Sequence, residues 1–346
     1  MTAVPAAGPD GNGVRWFGNT HPALRACWHP IAEVAALDGD GPHPVRLLGE
    51  SWALVRLGDD WSLLPDRCPH RLAPLTAGVI VAGADGPVVE CAYHGWCFDG
   101  AGRCVEVPAS GPGAAVPPTA HLRPAAAVAE RYGLVWASVD GPVTPIPEVP
   151  EWGDDRYGVV RLDPQAWSAG AAQMADNFLD VAHFPFTHTA TIGDPDDRAV
   201  RPYELARDGW VFTAEHRHSS QVIGGEPGDM FERVMRFTCT APHHVRLMLD
   251  YGPAGIMVLV FFHQPIDEHT TVLYCMELAE NVADGRVSAE DAAAFQVAVA
   301  TEDRQLLERF ETKAVPLDPG VETHVRADRI TVELRRVLAE LASLAD

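Results

Sequence analysis

The sequence is poor in basic residues and in long apolar runs. Its 26 Lys and Arg stand against 48 Asp and Glu, a formal net charge of −22 at pH 7. A surface of that sign repels phosphate backbones and anionic lipid headgroups, so nucleic-acid and membrane partners are not expected. The longest aliphatic or aromatic run, Ile256–Phe262, is far shorter than the roughly 20 residues that a membrane-spanning helix needs. With no basic segment and apolar stretch at the start of the chain, we expect a cytoplasmic protein.

Cysteine is scarce and unevenly placed. The chain has 7 cysteines, and four of them fall between residues 68 and 104. An odd number in a chain without a secretion signal argues against a disulfide framework. Cys97 and Cys104 flank a Gly-rich turn and are predicted to be small apolar residues of a hairpin. The remaining cysteines outside the His-containing motifs are predicted to fill cores: Cys27, Cys239 and Cys275.

The chain length and the pattern of predicted strands and helices indicate two different domains, and the fold class of the whole chain is α+β. A chain of 346 residues corresponds to about two domains of ordinary size. Residues 1–15 are rich in Gly, Ala and Pro and predict a flexible tail, and residues 16–145 carry short β-like runs of an all-β domain. Residues 146–346 predict an antiparallel sheet flanked by helices. The predicted helices are Ala171–Ala182, Ala289–Thr312 and Asp328–Leu344.

Two short segments each combine a cysteine with a histidine. Cys68-Pro-His70 is followed after 20 residues by Cys91-Ala-Tyr-His94. Zinc fingers usually pair Cys with Cys and His with His, with the His pair on a helix, whereas each loop here mixes the two types. Mixed loops suit a [2Fe–2S] cluster in which one iron takes both thiolates and the other takes both imidazoles, the Rieske arrangement. A zinc site and an unrelated scatter of core residues are the alternatives.

A second segment further along combines histidines with a carboxylate. Asn177, Asp180 and His183 recur every three residues, which predicts one helical face. On an unbroken helix His183 and His188 would diverge by about 140°. Pro185 is predicted to break the helix and let both imidazoles face one metal ion. Two imidazoles with one carboxylate form the facial triad of mononuclear iron oxygenases, which leaves positions open for other ligands.

The missing carboxylate is predicted on the helix that follows Ser288, whose spacing to Asp291 is typical of a capping box. A carboxylate within an apolar stripe is costly unless it is paired or binds a metal, and an ion pair with a nearby Arg is the alternative. The predicted ligand is Asp303, which shares one face of the predicted helix with Phe295, Val299, Leu306 and Phe310.

These segments together resemble the Rieske non-haem iron oxygenase family, over nearly the whole chain from about residue 16. The first loop is followed by Arg71, and the second continues as Gly95-Trp96-x-Phe98-Asp99 with Gly102 beyond it, as in that family's cluster loops and hairpin. The pattern Asn-x-x-Asp-x-x-His-x4-His and the Glu302-Asp303 step also match. Neither loop has the extra cysteine of respiratory Rieske proteins. The resemblance implies an N-terminal Rieske domain and a helix-grip-like catalytic domain, the oxygenase alpha subunit of the shorter, homotrimeric type.

The resemblance also implies roles for individual residues. Cys68, His70, Cys91 and His94 would hold the [2Fe–2S] cluster, while His183, His188 and Asp303 would hold a mononuclear Fe(II) that uses O2 as co-substrate. Asn177 would lie near this iron. Asp180 would connect the iron histidine of one subunit to a cluster histidine of the next in a head-to-tail homotrimer. An alternative role for Asp180 is to orient His183 within its own subunit.

Electrons must come from another protein, because no Gly-x-Gly-x-x-Gly follows a predicted strand. NADH or NADPH would therefore act through a separate reductase, with or without a ferredoxin. Arg67 and Arg71, beside the first cluster loop, are candidates to dock an acidic electron donor or are simply solvated.

The length resembles that of the shorter family members, which mostly monohydroxylate or demethylate. The implied activity is monohydroxylation or oxidative O- or N-dealkylation of an apolar, aromatic or heterocyclic small molecule. The Ile256–Phe262 strand is a candidate wall of the pocket. The alternatives are a ring cis-dihydroxylating dioxygenase and a non-catalytic Rieske electron carrier or redox sensor.

Overall fold

The computed structural model describes residues 10–111, 113–221 and 230–345. These residues form two compact units. One unit comprises residues 25–143, and the other comprises residues 144–345 together with residues 10–24. The first strand of the chain, β1 (Trp16–Gly18), belongs to the latter unit. Within the described ranges, no helix is both long and apolar enough to cross a membrane.

The unit of residues 25–143 is all-β, as predicted. Its strands are β2 (His29–Glu33), β3 (His43–Leu47), β4 (Glu50–Leu57), β5 (Asp60–Pro65), β6 (Val79–Gly83), β7 (Gly86–Glu90), β8 (Cys97–Phe98), β9 (Cys104–Glu106), β10 (Ala127–Arg131) and β11 (Leu134–Ser138). They pair in small antiparallel sheets, in the orders β10–β11–β2, β3–β4–β5 and β6–β7–β8–β9. Val55, Leu64, Val89 and Phe98 are fully buried between these sheets. This core supports the loops that follow β5 and β7.

The other unit is built on a large antiparallel sheet. The strands of this sheet are β12 (Gly158–Arg161), β13 (Gln165–Trp167), β14 (Leu205–Asp208), β15 (Val211–Gln221), β16 (Met230–Thr240), β17 (His244–Asp250), β18 (Ile256–Pro265) and β19 (Thr271–Ala279). A further strand of the unit, β20 (Ala314–Pro316), pairs with β1 instead. The sheet order is β12–β19–β18–β17–β16–β15–β14, with β13 also paired to β19. The helices are α1 (Ala171–Leu179), α2 (Phe184–Thr187), α3 (Glu280–Ala283), α4 (Ala289–Leu307) and α5 (Arg329–Ala342).

The N-terminal segment differs from the prediction. Residues 10–15 were expected in a flexible tail and residues 16–24 in the first domain. Instead, β1 pairs with β20 in the unit of residues 144–345, and the Arg15 side chain forms an ion pair with Asp318. Residues 1–9 of the predicted tail lie outside the described residues. The local composition that suggests a loose end cannot reveal pairing with a strand some 300 residues away.

Helix α4 begins as the sequence predicts. The Ser288 hydroxyl accepts a hydrogen bond from the backbone N–H of Asp291 at 3.0 Å and satisfies one unpaired donor of the first turn. Its predicted apolar face is wrong in part, because Leu306 and Phe310 are 42% and 50% exposed. The buried positions of the helix are instead Ala292, Gln296, Asp303 and Leu307.

Candidate metal centres

The two Cys–His loops of the all-β unit repeat one backbone geometry. In the first loop the Cys68 N–H donates to the Ala73 carbonyl at 2.8 Å, and the Leu72 N–H donates to the Cys68 carbonyl at 2.9 Å. In the second loop, the same two hydrogen bonds recur at the same spacing from Cys91, at 2.9 Å each. The fourth residue after each cysteine, Leu72 or Gly95, has a positive φ of 62° or 71°. The two loops are therefore similar turns that face each other.

The side chains of these loops fit an iron–sulfur cluster. Cys68 and Cys91 are 1% and 2% exposed, and the ring of His70 lies 4.4 Å from that of His94. The ring of Trp96 stacks on His70 at 4.6 Å and fixes its plane. The Nδ1 atom of His70 is buried without a hydrogen-bond partner among the described residues, as expected of a nitrogen that binds a metal. Two buried thiols and an unpaired imidazole nitrogen are the donor set that the Rieske arrangement needs.

The iron motif in the other unit differs in detail from the prediction. Helix α1 ends at Leu179, because Asp180 adopts an extended conformation with ψ of 139°. The carboxylate of Asp180 then accepts the N–H groups of Ala182 and His183, at 2.9 and 3.1 Å. Pro185 lies in the first turn of α2, where its missing N–H costs nothing. The break is thus at Asp180 rather than Pro185, and Asn177, Asp180 and His183 do not share a continuous helical face.

The structure brings His183, His188 and Asp303 together. The two Nε2 atoms are 3.1 Å apart, and the Asp303 Oδ1 atom lies 3.4 Å from His183 Nε2 and 3.1 Å from His188 Nε2. Neighbouring ligands of one octahedral ion at about 2.1 Å lie about 3 Å apart. The three atoms therefore fit the size of a single metal ion.

Carboxylates on the far side of each imidazole strengthen this fit. His183 Nδ1 lies 3.1 Å from Asp180, and His188 Nδ1 lies 2.8 Å from Glu302. A hydrogen on each Nδ1 leaves both Nε2 atoms as lone pairs that face the Asp303 oxygen, and a metal ion at this point satisfies all three atoms. Burial disfavours a charged imidazole, yet Asp180 and Asp303 raise the pKa of His183 to about 9. The pKa of Asp303 is lowered despite its burial, because both histidines stabilise the carboxylate.

A pocket opens beside these three ligands. Its walls are apolar on one face of the sheet, where Leu259 and Phe261 of β18 lie beside Leu273 and Cys275 of β19. Leu259 and Phe261 belong to the Ile256–Phe262 strand that is the candidate pocket wall, and Cys275, predicted to fill a core, lines the pocket as well. The polar side chains include Gln165, Asn177, Gln296 and the exposed Asp163, and none of the described lining residues is Arg or Lys. The pocket thus suits an uncharged molecule with a few polar atoms.

Asn177 and Gln296 place amide groups in this pocket. Asn177 Nδ2 is buried without a hydrogen-bond partner within the described ranges and can donate to a ligand. Gln296 is fixed from behind, because its Nε2 donates to Glu277 at 2.8 Å. Glu277 is 1% exposed, and its other oxygen has no partner among the residues described. Burial raises the pKa of Glu277, with the Gln296 hydrogen bond acting in the opposite direction.

We expect Glu277→Gln to raise the melting temperature, and to raise it more as the pH increases. A carboxyl whose folded pKa exceeds its ordinary value stabilises the fold below that ordinary value and loses this contribution as the pH rises through the folded pKa. The neutral amide does not titrate, so its advantage grows from pH 5 to pH 8. Thermal melts at both pH values, with exposed Glu290→Gln as the control, test this expectation. An equal shift at both pH values would contradict it.

Glu302 and Thr191 also belong to this centre and were not predicted from the sequence to take part in it. The Thr191 hydroxyl donates to Glu302 at 2.6 Å, on the same oxygen that faces His188 Nδ1. The one available signal was the Glu302-Asp303 step. Because consecutive residues on a helix point in different directions, Glu302 could not bind the same metal ion as Asp303 and needed another partner.

The cysteines outside the Cys–His loops are buried. In the all-β unit Cys97 and Cys104 are buried in the β8–β9 hairpin as predicted. Cys27 and Cys239 are also fully buried.

Two family models match the chain. A model of the Rieske [2Fe-2S] domain matches residues 27–124, which include both Cys–His loops. A model of the vanillate O-demethylase oxygenase C-terminal domain matches residues 167–344, which include the three converging ligands. The second match alone covers just over half of the chain.

Individual relatives match over almost the full length. Methylxanthine N1-demethylase NdmA of Pseudomonas putida is 31% identical over 328 residues, 92% of this chain and 89% of the relative. Methylxanthine N3-demethylase NdmB of the same organism is 29% identical over 337 residues, 92% and 90% of the two chains. The structure of P. putida NdmA with caffeine superimposes with a TM-score of 0.82 at 30% identity and covers 94% of this chain and 93% of that one. Dicamba monooxygenase bound to dicamba shares the fold, with a TM-score of 0.75 at 22% identity over 93% and 98% of the chains.

The similarity thus extends over both units, and the matched ranges contain each predicted metal-binding segment. Mixed Cys–His loops around a [2Fe–2S] cluster and a separate site for mononuclear iron divide electron transfer from oxygen chemistry. The chain belongs to the Rieske non-haem iron oxygenases, oxidoreductases that carry both of these iron centres and receive their electrons from a separate protein.

Proposed function

We propose that this chain is the terminal oxygenase of a system that oxidatively removes N- or O-methyl groups from small, uncharged heterocyclic or aromatic molecules. The observation that carries the proposal is the convergence of His183, His188 and Asp303 at one end of an apolar pocket with a few amide groups. The relatives support N-demethylation in particular, since NdmA and NdmB are methylxanthine demethylases. Methylxanthines are therefore the first substrates to test.

His183, His188 and Asp303 are proposed to bind the mononuclear Fe(II). When bound, this iron supplies the activation of dioxygen at its open positions. Asp180 holds the Nδ1 hydrogen of His183, and Asn177 presents its unpaired N–H to a substrate carbonyl or a water molecule. The apolar walls keep bulk water from the methyl group that is to be oxidised.

The cluster is proposed to be bound by Cys68 and Cys91 on one iron and by His70 and His94 on the other. The loops present these residues differently to solvent: both cysteines are buried, whereas His94 is exposed. A ligand histidine at the surface offers a short route for electrons between proteins. Cys68 contributes a buried thiol whose pKa rises to about 11 through burial, while the N–H groups of His70 and Arg71 favour its thiolate.

We further propose a head-to-tail homotrimer in which Asp180 links His183 to His70 or His94 of the next subunit. Asp180 opens into a surface groove lined by further acidic side chains, including Glu311, Glu322 and Asp328. The first cluster loop carries two exposed basic side chains, Arg67 and Arg71. The two cluster loops also expose Leu72 and Tyr93, by 55% and 65%. Opposite charges and apolar side chains on the two surfaces favour association between copies of the chain.

A separate reductase, with or without a ferredoxin, is the proposed electron donor, and the cytoplasm is the proposed location. Arg67 and Arg71 remain candidates for docking that donor. Charge reversal at Arg71 separates the two roles. A change in the oligomeric state indicates a contact between subunits, whereas a change only in the rate of cluster reduction indicates a contact with the donor.

Metal analysis separates the oxygenase from a simple electron carrier. We expect about three iron atoms per two acid-labile sulfides, because the mononuclear site adds one iron to the two of the cluster. Iron and sulfide assays on anaerobically purified protein measure this ratio directly. A ratio of two to two after incubation with Fe(II) would contradict the proposed second centre.

The activity test uses caffeine with O2, NADH and a surrogate reductase. Oxidation of an N-methyl group to a hydroxymethyl group inserts one oxygen atom, and loss of that group releases one formaldehyde per methyl removed. Formaldehyde and the demethylated purine should form in equal amounts. An iron-loaded protein that oxidises neither methylxanthines nor methoxylated aromatics would overturn the proposed substrate class.

A further inference from the structure

The hydrogen-bond partner of each ligand histidine decides which nitrogen is free to bind a metal. A carboxylate that accepts the Nδ1 hydrogen leaves Nε2 as the lone pair and fixes the plane of the ring. Both histidines of this site have such a carboxylate. Asp180 serves His183, as the sequence motif suggests, whereas the partner of His188 is Glu302 on helix α4.

Glu302 is held differently from Asp180. The carboxylate of Asp180 also accepts the backbone N–H groups of Ala182 and His183, so the backbone itself fixes its position. Glu302 accepts no backbone hydrogen bond among the described residues. Its Oε2 atom accepts from the Thr191 hydroxyl at 2.6 Å and faces His188 Nδ1 at 2.8 Å. The position of Glu302 therefore depends on Thr191.

Thr191 lies in the same turn as His188, the histidine whose partner Glu302 it holds. The backbone N–H groups of Thr191 and Gly193 both donate to the His188 carbonyl, at 3.0 and 2.8 Å. A side chain at Gly193 would collide with the Phe184 carbonyl, since a Cβ atom there would lie 2.1 Å from that oxygen. The turn is thus tightly packed against α2 and presents the Thr191 hydroxyl to α4.

We propose that Glu302, held by Thr191, is a positioning residue that sets the orientation and tautomer of His188 and thereby determines how tightly the mononuclear iron is retained. This inference rests on the proposed ligation of iron by His188. The side chain of His188 is 1% exposed, so in the wild-type protein Glu302 rather than bulk water accepts its Nδ1 hydrogen. The loss of Glu302 would leave the ring free to present the wrong nitrogen.

The test measures Fe(II) affinity rather than turnover. The mononuclear site of the full-length protein, with its cluster intact, is depleted of iron, and Fe(II) is titrated anaerobically against a chromogenic chelator. We expect Glu302→Ala to raise the Kd for Fe(II) by about 10- to 100-fold, the range found for residues that orient metal ligands. Glu302→Gln keeps an oxygen acceptor and should restore most of the affinity.

Thr191→Val provides the sharper test, because Thr191 touches no proposed ligand side chain. We expect a several-fold rise in Kd from this nearly isosteric change, through the freed Glu302 carboxylate. Glu290→Ala, exposed on the same helix, is the matched control and should leave the Kd unchanged. The cluster absorbance and the melting temperature show whether each variant is folded. If Glu302→Ala is not folded, the Kd of Thr191→Val decides the question.

Failure of the inference is distinguishable from failure of the proposed function. Wild-type affinity in both Glu302→Ala and Thr191→Val would overturn the positioning role while leaving the iron site in place. A wild-type protein that takes up no Fe(II) beyond its cluster would overturn the iron site, and this inference with it.

Discussion

His183→Ala is expected to lower the rate of O2-dependent turnover by on the order of 10³-fold or more, while the absorbance of the [2Fe–2S] cluster is unchanged. The variant removes one of three ligand atoms that lie within 3.4 Å of one another, and it leaves Asp303 facing a single imidazole. The cluster ligands belong to the other compact unit, so their loops should fold normally. Formaldehyde release and the visible spectrum of the purified variant measure the two effects.

Asp303→Ala serves as the companion variant. It should lower the iron content of the mononuclear site, because it removes the one carboxylate among the three converging atoms. Glu308→Ala, just beyond the end of α4, removes an ion pair with Arg304 and should retain the iron. Full turnover in His183→Ala, or unchanged iron content in Asp303→Ala, would show that the metal lies elsewhere.

Asp180→Asn is expected to reduce coupled turnover by at least about 100-fold with little loss of mononuclear iron. The amide can still accept a backbone N–H, so the turn between α1 and α2 should persist. It lacks the charge and one of the two acceptor oxygens through which the carboxylate would connect two imidazoles. The reductase should therefore still reduce the cluster, but the reduced cluster should pass its electron on slowly. Stopped-flow reoxidation of the cluster in the presence of substrate and O2 measures this step.

Complementation between subunits tests the route itself. Co-expressed His70→Ala and His183→Ala chains each lack one centre, yet neighbouring subunits in a head-to-tail ring would pair an intact cluster with an intact iron site. Recovered activity in the mixed protein supports transfer between subunits. If the mixture stays inactive although both chains co-assemble, the electron moves within one chain and Asp180 serves only to orient His183.

Much of the fold follows from local sequence patterns. The short β-like runs within residues 16–145 predicted an all-β domain, and the Ser288 cap predicted the start of α4. The residues brought together at each metal centre were also predicted, because Cys and His have few reasons to cluster at such spacings. These features depend on neighbours in the chain.

The rest depends on contacts that local patterns do not encode. Glu302 and Thr191 are 111 residues apart, so their hydrogen bond could not be inferred without the fold. The helix break at Asp180 was assigned to Pro185, because proline is the stronger breaker in isolation, whereas the Asp180 carboxylate caps the next turn here. Leu306 and Phe310 continue the periodicity of a buried face but lie in a surface groove. Periodicity identifies a face and not its partner.

The two cluster loops are alike in backbone but not interchangeable at their left-handed residue. A Cβ atom at Gly95 would lie 3.1 Å from Pro108, whereas the Leu72 side chain is mostly in solvent. Leu72 bears the strain of its φ, which glycine would relieve. A thiol-reactive fluorophore attached through Leu72→Cys would therefore lie in solvent beside the cluster and leave the core of the loop intact. A change in its emission would report when a partner protein covers the first cluster loop.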